Sequence, residues 1–189
     1  MSTAARTPRE RLHDKPLLHS DAASSTAAPH GPADPADALE TLERILAERN
    51  SGAAFQSVVM AAVRIVERAV CHEHCVAQAA LSLGQQEKLT GMVATIEEAA
   101  VLLRDQLSMQ GSSLTHLCGE RPSRSTEAEP WPDALFRAVQ ALDESVCQLT
   151  SLSNAQPKGS PSRALSDCAA QLLRSHHNTL LMEAEEWMA

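Results

Sequence analysis

After about residue 35, apolar residues recur alternately three and four positions apart along most of the chain. In segment 53–83 this line consists of Val58, Ala62, Ile65, Ala69, His72, Val76, Ala79 and Leu83, with one histidine among apolar residues. In segment 85–110 it consists of Leu89, Val93, Ile96, Ala100, Leu103 and Leu107. Such spacing puts the side chains on one face of an α-helix. Two long amphipathic helices are therefore predicted, and the short turn at Gly84 predicts that they form an antiparallel hairpin.

A second pair of helices is predicted in 131–187. Trp131-Pro132 suits the first turn of a helix, where proline is tolerated. Its apolar line is Leu135, Val139 with Ala138, Leu142, Val146, Leu149 and Leu152. Residues 156–161 form the next turn, where Ser160 is placed to cap a helix and Pro161 to open it. The last helix carries Leu165, Ala169, Leu172, His176, Thr179 and Met182 in the same spacing.

A short helix is predicted to precede these hairpins, beginning near Pro35. Asp37 and Glu40 resemble a capping box, and Asn50-Ser51-Gly52 is a typical C-terminal stop. The apolar face of this helix comprises Leu39, Leu42, Ile45 and Leu46. Residues 1–34 are rich in Ala, Ser, Thr and Pro and show no such spacing, so they are predicted to form a disordered arm.

These elements predict an all-α fold. Hairpin 53–110, linker 111–130 and hairpin 131–187 would build an antiparallel four-helix bundle within 35–189, with the short helix across one end. Segments 62–71 and 138–147 align at an offset of 76, which also matches Gly84 with Ser160 and so makes the two turns coincide. This favours an internal duplication, although two Ala-rich amphipathic helices also align by chance. If the hairpins do not fold onto each other, the exposed faces require a partner chain, and a homodimer is the alternative.

Composition narrows the class of protein. Aromatic residues make up 2% of the chain and there is no Tyr, whereas Ala and Leu, which favour helices, are abundant. The net charge is −8, and only three of the sixteen basic residues are lysines, Lys15, Lys88 and Lys158. Nucleic acid and membrane surfaces are therefore not expected partners. Five cysteines, the lack of a signal-peptide apolar region and the lack of a ~20-residue apolar span predict a reduced, bacterial-type cytoplasmic location.

The segment Cys71-His72-Glu73-His74-Cys75 is the candidate for chemistry. On a helix, Cys71, His74 and Cys75 lie close together, and thiolates and imidazoles are zinc ligands. The remaining ligands would come from His116, Cys118, Cys168, His176 or His177. The alternatives are that the cysteines are small buried apolar residues, or that Cys71 and Cys75 form a redox-sensing pair. His72 and His176 lie on apolar faces, either as a pH- or metal-responsive pair or as ordinary hydrogen-bonded histidines.

No enzyme signature is present: the chain has no nucleophile elbow, no phosphate-binding loop and no His-Glu-x-x-His. The acidic runs Glu97-Glu98 and 183–186 are expected to be solvated. The sequence therefore favours a non-enzymatic helical module for protein interaction or regulation, without a cofactor. The alternatives are a metal- or redox-responsive sensor that uses Cys71, His72, His74 and Cys75, and a bacterial secretion substrate with its export signal in 1–34.

Overall fold

A computed structural model of the protein describes residues 34–48, 52–108 and 130–188. Within them the chain is helical, as predicted. The five helices are α1 (Pro35–Ala47), α2 (Ala53–Ala79), α3 (Leu83–Ser108), α4 (Trp131–Asn154) and α5 (Pro161–Met188). The predicted disordered arm, except Asp34, and the predicted linker 111–130, except Pro130, lie outside the described residues. None of the described helices is long and apolar enough to cross a membrane.

Helices α2 to α5 form the predicted antiparallel bundle. α2 packs against α3, α4 and α5, while α4 and α5 pack against each other. Gln85 and Lys88 at the start of α3 bond Glu183 near the end of α5, so these two helices also run antiparallel. It follows that α2 and α5 point one way and α3 and α4 the other. α3 therefore ends at the opposite end of the bundle from the start of α4.

The short helix α1 packs against one side of the bundle, not across an end as predicted. It packs mainly against α5 and α3. Ala38, Leu42, Ile45 and Leu46 are buried in the common core. The Cys168 thiol of α5 donates a hydrogen bond to the Ala38 carbonyl oxygen over 2.8 Å. α1 thus fills the space between α3 and α5 at the end of the bundle where α5 begins.

Two helix starts differ from the sequence prediction because other side chains cap them. Asp34, not Asp37, caps α1: its Oδ1 accepts from the Ala36 backbone N–H over 3.0 Å. α2 ends at Ala79, and α3 begins at Leu83 with Ser82 as its cap, so Gly84 lies inside α3 and not in the turn. The Ser82 hydroxyl accepts from the Gln85 N–H over 3.2 Å, which supplies one of the donors that a helix start leaves unpaired.

The second hairpin turn matches the prediction. It spans residues 155–160, with Ser160 Oγ accepting from the Arg163 N–H and Pro161 opening α5. Gly159 adopts a φ of 76°, a left-handed conformation that favours glycine. At the offset of 76 the first turn, 80–82, corresponds to 156–158, inside the second turn, so the two turns coincide as predicted, although Gly84 itself lies in α3. The duplication itself stays a prediction.

The apolar faces agree with the prediction along α3 and α4 and shift along α2 and α5. In α5 the predicted line holds as far as His176, but Leu180 and Glu183 are then buried in place of Thr179 and Met182. In α2, Val66 and Glu73 are buried, while Ile65 and His72 are half-buried. α2 has neighbours on three sides, so residues on both flanks of its apolar line are covered.

Candidate functional site

The predicted metal ligands lie within the last three turns of α2, where their side chains are half-buried. Cys71 and Cys75 are half-buried thiols one helical turn apart. His74 Nε2 lies 2.7 Å from Glu97 Oε1 on α3, and both side chains are about half exposed. The structure thus brings the Glu97 carboxylate to the predicted ligand His74.

The zinc site of Cys71, His74 and Cys75 stays a prediction. In the described part of the chain, no three His, Cys, Asp or Glu side chains are arranged so that they could hold a metal ion. Two of the proposed additional ligands bond elsewhere, since Cys168 bonds Ala38 and His176 bonds Glu73. His116 and Cys118 lie outside the described residues.

The interior of the bundle contains a carboxylate–imidazole pair that the sequence analysis did not predict. His176 Nδ1 of α5 lies 3.0 Å and 3.1 Å from the two carboxylate oxygens of Glu73 on α2. The side chains are 1% and 2% exposed. With Nδ1 protonated, the imidazole donates to the carboxylate, and this fixes the ring orientation. His176 Nε2 is buried and has no hydrogen-bond partner among the described residues.

This pair has the arrangement in which a carboxylate orients an imidazole. A general base must come within hydrogen-bond reach of the proton that it removes. The His176 side chain is 1% exposed, so it does not reach a proton on a molecule at the protein surface. The pair joins the two parallel helices of the bundle, α2 and α5. Buried polar pairs are known to specify helix register at a cost in stability. We therefore interpret Glu73 and His176 as a register-setting pair.

Cys168 is a buried thiol about two turns before His176 on α5. Burial raises its pKa to about 11, an effect that the nearby Arg44 guanidinium partly offsets. Since the thiolate is the reactive form, this raised pKa lowers the reactivity of the thiol at neutral pH. Its hydrogen bond to Ala38 gives it a structural function in attaching α1.

One end of the bundle exposes large apolar side chains. We call it the apolar tip: Leu81, Leu83, Phe136, Leu181, Met182, Trp187 and Met188. These residues lie within about two turns of the end where α2 and α5 finish and α3 and α4 begin. Val101, in the far half of α3, is the one other large apolar side chain exposed in the described residues. The opposite end, with the 155–160 turn, exposes none among those residues.

A polar cluster beneath the tip holds its two sides together. Lys88 Nζ donates to Glu183 Oε1, and Gln85 Nε2 donates to Glu183 Oε2 over 3.2 Å. Gln85 Oε1 also accepts from the Leu81 backbone N–H over 3.0 Å, so one amide links the α2–α3 turn to α5. The hydrogen bond from Lys88 is the main cause that lowers the pKa of the Glu183 carboxyl. We call Gln85, Lys88 and Glu183 the Glu183 clasp.

The clasp fixes α3 and α5 relative to each other along the bundle axis, and with them the axial positions of their exposed side chains. Trp187 follows Glu183 by one helical turn, and Leu83 precedes the Gln85–Lys88 pair on the antiparallel α3. Trp187 and Leu83 therefore lie level with each other, 51% and 73% exposed, on the two sides of the tip. The Ser82 cap and the Gln85 side chain both hydrogen-bond the backbone of the α2–α3 turn, on the α3 side of the tip.

Sequence reasoning missed Glu73 and Glu183. Residues 183–186 were expected to be solvated; this is correct for Glu185 and Glu186, which are exposed, and wrong for Glu183, which is 6% exposed. No local signal marks either glutamate as buried, because their partners lie 103 and 95 residues away. The Ser82 cap did have a signal, since Ser82 and Gln85 have the spacing of a capping box.

Comparisons of the chain with protein-family models, with curated proteins and with solved structures found no match.

Proposed function

We propose that this protein is a non-enzymatic helical interaction module that binds another protein through its apolar tip. The observation that supports the proposal is the distribution of exposed large apolar side chains. In the described residues, seven of the eight lie at one end of the bundle. Single apolar residues scattered over a surface are ordinary, whereas their concentration in one region is typical of an interaction site.

The residue types at the tip also fit a binding surface. Trp, Phe and Met are enriched in the cores of protein interfaces, where a large apolar area is buried with few ordered torsions. Trp187, Phe136 and Met182 are all more than half exposed. The Glu183 clasp and the Ser82 cap hold the backbone of α3 and α5 at the tip, which lowers the entropy cost of binding.

The test is affinity capture from the native cells under reducing conditions, with a variant of the tip and a matched control. Leu83→Glu places a charge at the tip, and Val101→Glu places the same charge on the same helix in its far half. Both wild-type side chains are exposed, 73% and 46%, so each substitution should change stability by no more than about 0.5 kcal/mol. We expect a stoichiometric protein that wild type and V101E retain and that L83E loses. A partner held equally by all three proteins would contradict the proposal, as would the absence of any partner.

A further inference from the structure

The apolar tip is surrounded by carboxylates. Four exposed acidic residues lie within about two turns of this end of the bundle: Glu87 on α3, Asp133 on α4, and Glu185 and Glu186 on α5. We call these four the acidic rim. They enclose the same end at which Leu83 and Trp187 are exposed.

Among the described residues, the cations at this end do not balance the rim. Lys88 bonds Glu183 within the clasp, so its charge is already paired with a fifth carboxylate. Arg137 is the other basic residue within the same two turns of α3, α4 and α5. The tip therefore combines an apolar surface with an excess of negative charge.

This combination discriminates between classes of partner. A second copy of the chain would bring the same carboxylates against each other, in a protein whose net charge is already −8. An anionic membrane surface would likewise be repelled. A segment that carries both apolar and basic residues complements the surface in both respects, because opposite charges around an apolar centre steer association and favour the correct partner.

We propose that the apolar tip binds an amphipathic helical segment of another protein, with apolar residues on one face and Lys or Arg flanking them. Apolar side chains spaced at i, i+3 or i+4 and i+7 would lie against Leu83 and Trp187, the two sides of the tip. The basic residues would face Glu87, Asp133, Glu185 and Glu186. Glu183 already receives bonds from Lys88 and Gln85, so covering the tip leaves the clasp carboxylate paired. This inference rests on the proposed function and adds the chemistry of the partner.

The experiment titrates the full chain with three synthetic peptides of about 18 residues, five helical turns. One is an amphipathic Leu/Lys helix, the second has Glu in place of every Lys, and the third is a scrambled Leu/Lys sequence. Trp187 is 51% exposed and reports contact by a blue shift of its fluorescence, whereas Trp131 is 2% exposed and serves as a constant background. We expect the amphipathic Leu/Lys peptide to bind at least about tenfold more tightly than either control peptide, a difference that one favourable contact of ordinary strength supplies.

Four variants separate the tip from the general negative charge of the protein. L83E should abolish the blue shift and V101E should leave it unchanged. E185Q/E186Q should weaken binding by about two- to fivefold per charge removed. E43Q/E98Q removes two exposed carboxylates that lie on α1 and in the far half of α3, and should leave the affinity unchanged.

Equal binding of the Leu/Glu peptide would overturn the inference, as would an equal effect of the two Glu→Gln pairs. Self-association that L83E abolishes would identify a second copy as the occupant, and binding of anionic vesicles would identify a membrane; either result also overturns it. The two proposals fail separately. If L83E loses its captured partner but the Leu/Lys peptide does not bind, the partner chemistry is wrong and the interaction site stands.

Discussion

Removing one member of the Glu73–His176 pair should cost far more stability than removing both. The two side chains are 2% and 1% exposed, so water does not compensate for a lost partner. In His176→Leu the Glu73 carboxylate stays in the core without its donor, which is expected to cost about 3–5 kcal/mol. In E73L/H176L two side chains of similar volume replace the pair and no buried charge is left. That variant should lie within about 1 kcal/mol of wild type or be more stable.

The protein contains a matched control for this experiment. His74 and Glu97 are the same two residue types at 2.7 Å, but 46% and 50% exposed. The same substitutions there should give a coupling energy below about 1 kcal/mol, because solvent screens exposed pairs. A large coupling energy in the core and a small one at the surface would assign the effect to burial and not to the chemistry of the pair.

Each pair is measured as a double-mutant cycle of wild type, the two single variants and the double variant. Urea unfolding of these four proteins, followed by far-ultraviolet circular dichroism at neutral pH, gives the coupling energy of each pair. For a chain of this length, a loss of about 4 kcal/mol corresponds to a fall in Tm of about 8–16 °C. If E73L/H176L loses as much stability as the sum of its two single substitutions, the two side chains are not coupled and our interpretation of the pair is refuted. A change in the denaturant slope would show either a change in the compactness of the denatured or native state or a loss of two-state unfolding, so the slopes are compared first.

Three further predictions follow from the caps, the clasp and the buried thiol. The pKa of Glu183 is lowered in the folded state, so its stabilising effect should be complete above the ordinary pKa of 4.5 and should disappear as the pH falls through the folded pKa. The difference in urea midpoint between wild type and E183Q should therefore shrink at acidic pH. A difference that stays constant with pH would contradict this prediction. Cys147 is exposed whereas the pKa of Cys168 is raised to about 11, so alkylation followed by peptide mass mapping should label Cys147 quickly and Cys168 only under unfolding conditions. Asp34→Ala should cost about 1 kcal/mol of stability in chemical denaturation, and Asp37→Ala, in the same first turn but without the capping bond, only a few tenths.

The fold could be predicted from the sequence because helix periodicity and turn residues are local signals. The apolar lines of α3, such as Leu89, Ile96 and Leu103, and of α4, such as Leu142 and Leu149, are buried where the spacing placed them. These helices each have one apolar face, so the residue pattern and the packing agree. An antiparallel bundle then follows, since each hairpin can bury its face only against the other.

The sites could not be predicted because they depend on contacts between distant segments. In α2, the apolar line through Ala62, Ala69 and Val76 can be continued on either flank, by Ile65 and His72 or by Val66 and Glu73. Composition favours the first choice, since a glutamate is seldom buried without a partner. The packing selects the second because His176 supplies that partner from another helix.

The Glu73–His176 pair is polar and buried, whereas the apolar tip is apolar and exposed, and the axial position of α5 connects the two. Glu73–His176 fixes the axial position of α5 against α2, and the Glu183 clasp fixes it against α3. A slide of α5 by one heptad would preserve the spacing of its apolar residues, yet it would move Trp187 by about 10 Å relative to Leu83. It would also separate both glutamates from their partners.

Apolar packing alone specifies this register weakly, because Leu and Ala recur at equivalent positions in every heptad. A bundle that binds through its end must keep one register, since the binding surface is composed of residues from helices that run in opposite directions. The cost of burying a polar pair is therefore consistent with our proposal that the tip is the binding surface.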